Sequence, residues 1–356
     1  MIKKILVLLL LMSIVLLFVV YYAGGLEVID KYLNRDTVFL SDTEEVNIDL
    51  KSSKIFLEKG FFYKLTENNL AAYDYEGILL SNKEFETFIE KVFINSDTII
   101  MTEDGVLHIL NSDLNLEIDL TQKNLLNILE DSAIYALTSD LDYNNNYIEI
   151  FDQNYVSTGV INKNSKRILS VRKSLNSNAL LVSAFDYDGN VIISTISEYL
   201  IKDYYQIWET EFVNELIIFL EPGNDGTYLA TNRNIYKLNT QGAVLWQYGG
   251  YDNLKDMKFV NGELYVLEGE NNTNLHIISK DGKLLNKMTS QHQYSKLDFH
   301  EGFLLLTGNQ YISYMKEDKV NLLYNSQSTI NATLLDGNII RIFTADGIKS
   351  MNINIK

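Results

Sequence analysis

From Lys54 to the C-terminus, apolar, β-branched and aromatic residues come in short runs, each closed by Gly, Asn or Asp. The stretch keeps no 3.6-residue period, so the pattern predicts strands joined by tight turns. The turns recur. Phe299-His300-Glu301-Gly302 before Phe303 to Thr307 matches Phe259-Val260-Asn261-Gly262 before Glu263 to Leu267, and Leu335-Asp336-Gly337 and Lys59-Gly60 repeat the motif. Glycine suits such hairpins because it adopts positive φ without steric cost.

A third strand follows each pair, ending near Tyr73, Leu110, Phe151, Ile193, Leu238, Ile278, Met315 and Met351. The intervals between these ends run from 36 to 45 residues. About eight copies of that length fit an all-β fold, a β-propeller of four-stranded blades, or seven blades if one weak copy is degenerate. Fourth strands are expected after Thr240-Gln241-Gly242 and Lys280-Asp281-Gly282. The last copy has no chain left for its own. Glu45 to Leu50 is expected to supply it, because an open ring leaves unpaired edges. The propeller is accordingly assigned to residues 45–356.

The N-terminus follows another pattern. Ile5 to Ala23 is 19 residues without a charge, about 28 Å as a helix and enough to cross a hydrocarbon core. Lys3 and Lys4 precede it, which places the N-terminus in the cytoplasm and the remainder outside. Residues 1–25 therefore read as a cytoplasmic stub and single-pass transmembrane signal anchor in the cell membrane, and residues 26–44 as a tether. A cleaved signal peptide is the competing reading, with Tyr22-Ala23-Gly24 as its site.

Composition narrows the function classes. Hydrophobic residues make up 46% of the chain, enough to bury a large core, and one proline, Pro222, leaves no Pro-rich linker to divide it. The net charge of −17 excludes nucleic acid as a partner, since phosphate binding needs Lys and Arg to displace counterions. With no cysteine there is neither disulfide, thiolate metal site nor cysteine nucleophile.

Ile235-Tyr236-Lys237-Leu238-Asn239-Thr240-Gln241-Gly242-Ala243-Val244-Leu245-Trp246 resembles the repeat of PQQ-like propellers, in which a strand turns through Gly and runs on to a Trp that packs between blades. Leu275 to Leu285 is a copy without the Trp. The anchor followed by a Tyr- and Asn-rich repeat array is similar to a family of uncharacterised, membrane-anchored bacterial PQQ-like propellers. That resemblance implies location and fold. The quinoprotein dehydrogenases of this fold use a vicinal cysteine pair and a Trp motif in nearly every blade; this chain has no Cys and only Trp208 and Trp246, so no cofactor is implied.

Candidate chemistry is sparse. Asp140, Asp142, Asn144 and Asn146 set oxygen ligands at alternate positions, as a calcium loop does, although Phe151 stands where the bidentate Glu belongs. His108 and His276 fall at equivalent places in separate blades, too far apart to share a metal. Asp104, Asp140, Asp142, Asp186, Asp188 and Asp346 all fall in or beside the turn between second and third strands, a set that one rim would present to a cationic protein or cell-wall polymer. Asp is also an ordinary turn residue, and the alternate turns carry Asp97, Asp131, Asp281 and Asp336. No nucleophile elbow or phosphate loop is present. The expected function is a non-enzymatic binding or scaffold module on the outer face of a bacterial membrane; the alternative is a cell-envelope hydrolase or lyase acting on glycan or peptide.

Overall fold

The computed structural model describes residues 38–355 apart from 59, 95–97, 103–105, 112, 122–124, 131–133, 140–144, 153, 176–177, 301 and 317–318. The expected anchor, the tether up to residue 37, and Asp104, Asp140, Asp142 and Asn144 lie outside the described residues. Among the described residues no helix is long and apolar enough to cross a membrane.

These residues form eight four-stranded antiparallel sheets. Sheet 1 contains Lys54–Glu58, Phe61–Thr66, Asn69–Asp74 and Leu79–Glu84. Sheets 2 to 7 follow in chain order over 89–121, 125–164, 167–213, 217–249, 254–290 and 296–325. Sheet 8 takes Ile330–Asp336, Ile339–Thr344 and Gly347–Ile355 from the C-terminus and Val38–Asn47 from the other end of the chain.

Where side chains are described, burial falls from the middle of a sheet toward its fourth strand. Gly226–Thr231 and Phe303–Thr307 are buried throughout, whereas the fourth strands Leu79–Glu84 and Val244–Gly249 have exposed residues at alternate positions. A strand covered on both faces tolerates a continuous apolar run, and an edge strand does not. The covering comes from neighbouring sheets. One apolar cluster joins Tyr63 and Leu70 of sheet 1 to Val92 and Leu110 of sheet 2, and comparable clusters join sheets 3 through 8 in succession. A further cluster joins Phe343 and Ile348 of sheet 8 to Phe62 and Tyr75 of sheet 1. There the Phe62 ring stacks on Tyr73 at 5.5 Å and meets Phe343 edge-on at 5.3 Å, contacts worth about 1 kcal/mol each beyond the area they bury.

The ends read from the sequence have a structural meaning. Tyr73, Leu110, Phe151, Leu238 and Ile278 each sit at a register shift where the third strand pairs with the first residue of the fourth. The intervening turns are held by the residue after the strand. Asn239 Oδ1 accepts the Gln241 and Ala243 N–H groups, and Asn111 and Asp152 do the same in sheets 2 and 3. The turn glycine then receives a side chain from the preceding sheet. Trp246 packs on Gly282 and its Nε1 donates to the Lys280 carbonyl at 2.8 Å; Trp208 packs on Gly242.

Two expectations need correction. Ile193 lies near the start of its strand, Val191–Leu200, because the two central strands of sheet 4 are ten residues long and stretch the spacing. The closing strand is Val38–Asn47, not Glu45 to Leu50, so residues 38–44 belong to sheet 8 and not to a tether. The apolar alternation of this strand changes phase at a bulge between Asp42 and Glu44. Before it, Val38 and Leu40 pack toward sheet 7; after it, Val46 packs toward sheet 1.

Two measurements check this seam and the turn packing. A chain beginning at Thr43 loses five of the nine closing pairs and the burial of Val38 and Leu40, so chemical denaturation should show a loss of about 3–5 kcal/mol. Removing only residues 26–37 should leave the midpoint unchanged. Gly282→Ala places a Cβ 2.7 Å from the Trp246 ring at φ +80° and should cost about 2 kcal/mol or more, part of it recovered when Trp246 is also cut to Ala.

Candidate functional site

In every sheet the first strand is innermost. In sheets 2, 3, 4, 5, 6 and 8 it carries a bulge near its start, which resets which side chains point inward. The first strands of sheets 5 to 8 line an open cavity of about 510 Å³ formed by Glu221, Lys258, Phe259, Val260, Lys296, Asp298, Phe299, Thr333, Leu334 and Leu335.

One wall of this axial cavity is charged. Asp298 accepts from Lys258 at 3.0 Å and pairs with Lys296 at 2.8 Å. Next to them the Asp256 carboxylate accepts the Leu297 N–H at 2.7 Å, tying sheet 6 to sheet 7. Burial pushes the Asp256 carboxyl up, opposed by that bond and by the Met257 N–H. Burial also raises Glu221, with the Arg172 and Lys258 charges drawing it only partly back. The rest of the lining is largely apolar. Phe259 is stacked on Tyr228 at 4.4 Å, and Phe299 stands edge-on to Tyr265 at 5.2 Å, so both rings are fixed.

The antiparallel order of each sheet puts the turn between second and third strands at one edge, with the link to the next sheet. Short links such as 165–166 and 214–216 keep successive sheets in the same sense, so these edges form one rim. Asp186, Asp188, Glu270 and Asp346 lie there. Asp186 is partly spent on its surroundings, accepting the Ser165 hydroxyl at 2.7 Å and the Tyr187 N–H at 2.8 Å. Asp346 accepts from Ser328 and faces Lys51 at 3.6 Å but is exposed, as Asp188 and Glu270 are. The opposite rim also carries acids, Glu76, Asp203, Asp225 and Asp281 among them. Several acids there serve the backbone, as Asp152 and Asp203 do by accepting turn N–H groups.

Of the calcium-loop residues only Asn146 is described. It is buried, and its Nδ2 donates to the Asn164 and Ser165 carbonyls, clamping two strands of sheet 3. His108 and His276 are in sheets 2 and 6. His108 Nδ1 lies 2.6 Å from Asp119, and His276 is wedged between Glu268 at 3.1 Å and the Tyr248 hydroxyl at 2.8 Å. Burial and the Lys287 charge lower the His276 pKa, and Glu268 offsets this only in part. Among the described residues no three His, Asp or Glu side chains gather as metal ligands.

One further cluster has catalytic residue types and a structural role. Lys163 Nζ donates to the Ser197 hydroxyl at 3.0 Å, the Tyr199 hydroxyl at 3.1 Å and Glu209 at 3.0 Å. Lys163, Ser197 and Tyr199 are all buried, so no substrate reaches the hydroxyl. The cluster joins sheet 3 to sheet 4. Burial would raise Glu209, but the bonds from Lys166 and Ser197 and the Lys163 charge outweigh it and hold the carboxyl down at about 2.

Solved structures share this fold. Saccharomyces cerevisiae Sqt1 aligns with a TM-score of 0.64 at 8% identity, covering 88% of this chain and 99% of that one. BamB from Moraxella catarrhalis aligns at 0.61 and 12%, covering 88% and 97%, and the computationally designed Ika8 protein at 0.59 and 13%, covering 87% and 100%. BamB and Sqt1 are β-propellers of the WD40 and PQQ-like kind. No protein-family model and no curated protein matches the chain. At such identities the likeness establishes an all-β, propeller-type fold.

Glu209 and Glu221 should respond oppositely to neutralisation. Glu209→Gln leaves Lys163 buried without its charge and should cost about 3 kcal/mol at pH 7. Because the Glu209 pKa is depressed on folding, that contribution is present above the ordinary value of 4.5 and is lost as pH falls toward about 2. Glu221 is raised on folding, so its ionised form opposes stability at neutral pH. Glu221→Gln should raise the melting temperature at pH 7, by an amount that shrinks as the pH is lowered through the carboxylate range.

Proposed function

We propose that this chain is a non-enzymatic binding module: a closed ring of eight blades, held at the outer face of a bacterial membrane by residues 5–23. A protein or cell-wall polymer of cationic character would dock on the rim that carries the turns between second and third strands. The observation that carries the reading is the placement of Asp186, Asp188, Glu270 and Asp346. They come from three separate sheets and share one edge of the ring, and Asp188 and Glu270 are exposed there. Carboxylates spread over a broad rigid face attract an extended cationic partner better than a small solute, and they act first on the association rate. Asp104, Asp140 and Asp142 belong to the same class of turn by sequence and would extend the face.

The closure of sheet 8 by Val38–Asn47 supports the ring, since it leaves the last sheet without a free edge. The apolar segment at residues 5–23 and the lysines before it support the location. The propeller likeness supports an interaction module, because that fold offers wide faces on a rigid frame.

The rim is tested in intact cells with a photo-crosslinking residue at Asp188 and, on the opposite rim, at Asp281. A discrete adduct from position 188 alone, reduced severalfold by Asp186→Asn with Asp346→Asn, is the expected result. Equal adducts from both rims, or an adduct indifferent to the neutralised carboxylates, would show that the rim is ordinary solvated surface.

A further inference from the structure

Glu221 differs from the acids in and beside the axial cavity. Asp298 is shared by two lysines, and Asp256 accepts two backbone N–H groups. Glu221 is half-buried against the cavity, yet among the described residues its carboxylate has neither a hydrogen bond nor an ion pair. Arg172 and Lys258 act on it only through their charge. A carboxylate withdrawn from water without a partner is costly and gains strongly from one.

The missing partner is cationic. Lys258 and Lys296 are both engaged by Asp298, so neither ammonium is left unpaired for an anion, whereas the Glu221 carboxylate is. Next to the charged residues on the same strands stand Phe259 and Phe299, with Leu334 also in the lining, the two rings held by Tyr228 and Tyr265. The face of an aromatic ring accepts either hydrocarbon or a cation. A volume of about 510 Å³ lies in the range of small-molecule sites, roughly 300–1,000 Å³.

We propose that this cavity binds a small organic ammonium, its nitrogen paired with Glu221 and its apolar body against Phe259, Phe299 and Leu334. The site is independent of the rim. It uses the inner strands of sheets 5 to 8, whereas the rim uses the turns, so either can fail without the other. The elevated pKa of Glu221 adds a signature: binding weakens on acidification at a higher pH than an ordinary carboxylate would give.

The experiment titrates the full chain in detergent with 2-phenylethylamine, followed by calorimetry. The wild type should bind it, and neutral 2-phenylethanol and anionic phenylacetate should bind at least about tenfold more weakly, a difference of roughly 1.4 kcal/mol. Glu221→Gln should lose about tenfold or more in affinity, whereas Asp188→Asn on the rim should change little. Glu221→Asp, which retracts the charge by one methylene, should also weaken the amine. The proposal is overturned if phenylacetate binds as well as the amine, or if neither Glu221 variant alters affinity. Loss of equal size in Asp188→Asn would show diffuse attraction to an acidic chain instead of a site. Absence of binding up to about 10 mM amine would also reject it.

Discussion

The structure depends on one constraint: a four-stranded sheet with two apolar faces has to be covered on both. No sheet of this chain can do so alone. Tyr63 and Leu70 need Val92 and Leu110, and Phe343 needs Phe62. A linear stack of such sheets would leave two uncovered faces and two open edges at its ends. The chain removes the seam by sending Val38–Asn47 into sheet 8, so the strand that finishes the last sheet is covalently continuous with the first. Stability therefore concentrates where the two ends of the sequence meet, which is why a strand at the margin of the fold matters as much as one at its centre.

The same constraint decides where polar groups go. A sheet face covered by its neighbour has no solvent side, so polar side chains on it must find partners between sheets. Lys163 reaches Ser197, Tyr199 and Glu209; Asp256 reaches the Leu297 N–H; Thr210 donates to the Gly242 carbonyl at 2.7 Å. Each bond crosses from one sheet to the next and fixes their relative position as well as satisfying the buried group. These networks resemble catalytic clusters in residue type alone. Ser197 and Lys163 are sealed from solvent, and what distinguishes a site from such a clamp is access to a cavity.

Local chemistry made most of the fold legible in the sequence. Turn glycines and Asx turns are set by a few consecutive residues, so Tyr73, Leu110, Phe151, Leu238 and Ile278 could be placed at strand ends that the structure identifies as bulges. The PQQ-like stretch around Gly242 and Trp246 was readable for the same reason, and Trp246 does cross to the next sheet. The closing strand was misplaced because a bulge at Asp42 breaks its alternation and its partner lies some three hundred residues away. The long strands of sheet 4 broke the assumed spacing for a different reason, their ten-residue length.

The axial cavity was harder to foresee, because its residues come from four sheets and no local motif marks them. A trace was nevertheless present. Asp256-Met257-Lys258 and Lys296-Leu297-Asp298 place charges on both sides of a buried apolar residue in successive first strands. In an edge strand that pattern means a solvated face. In a strand that begins a sheet, the charged side has only the ring axis to face, so the same alternation there signals a polar interior. Glu221 belongs to this set by position, one sheet earlier, but it follows Leu220 without a flanking charge of opposite sign. The feature that makes it the unpaired member of the cavity is thus visible in the sequence as a missing counter-charge, and it becomes interpretable only once the first strands are known to share an axis.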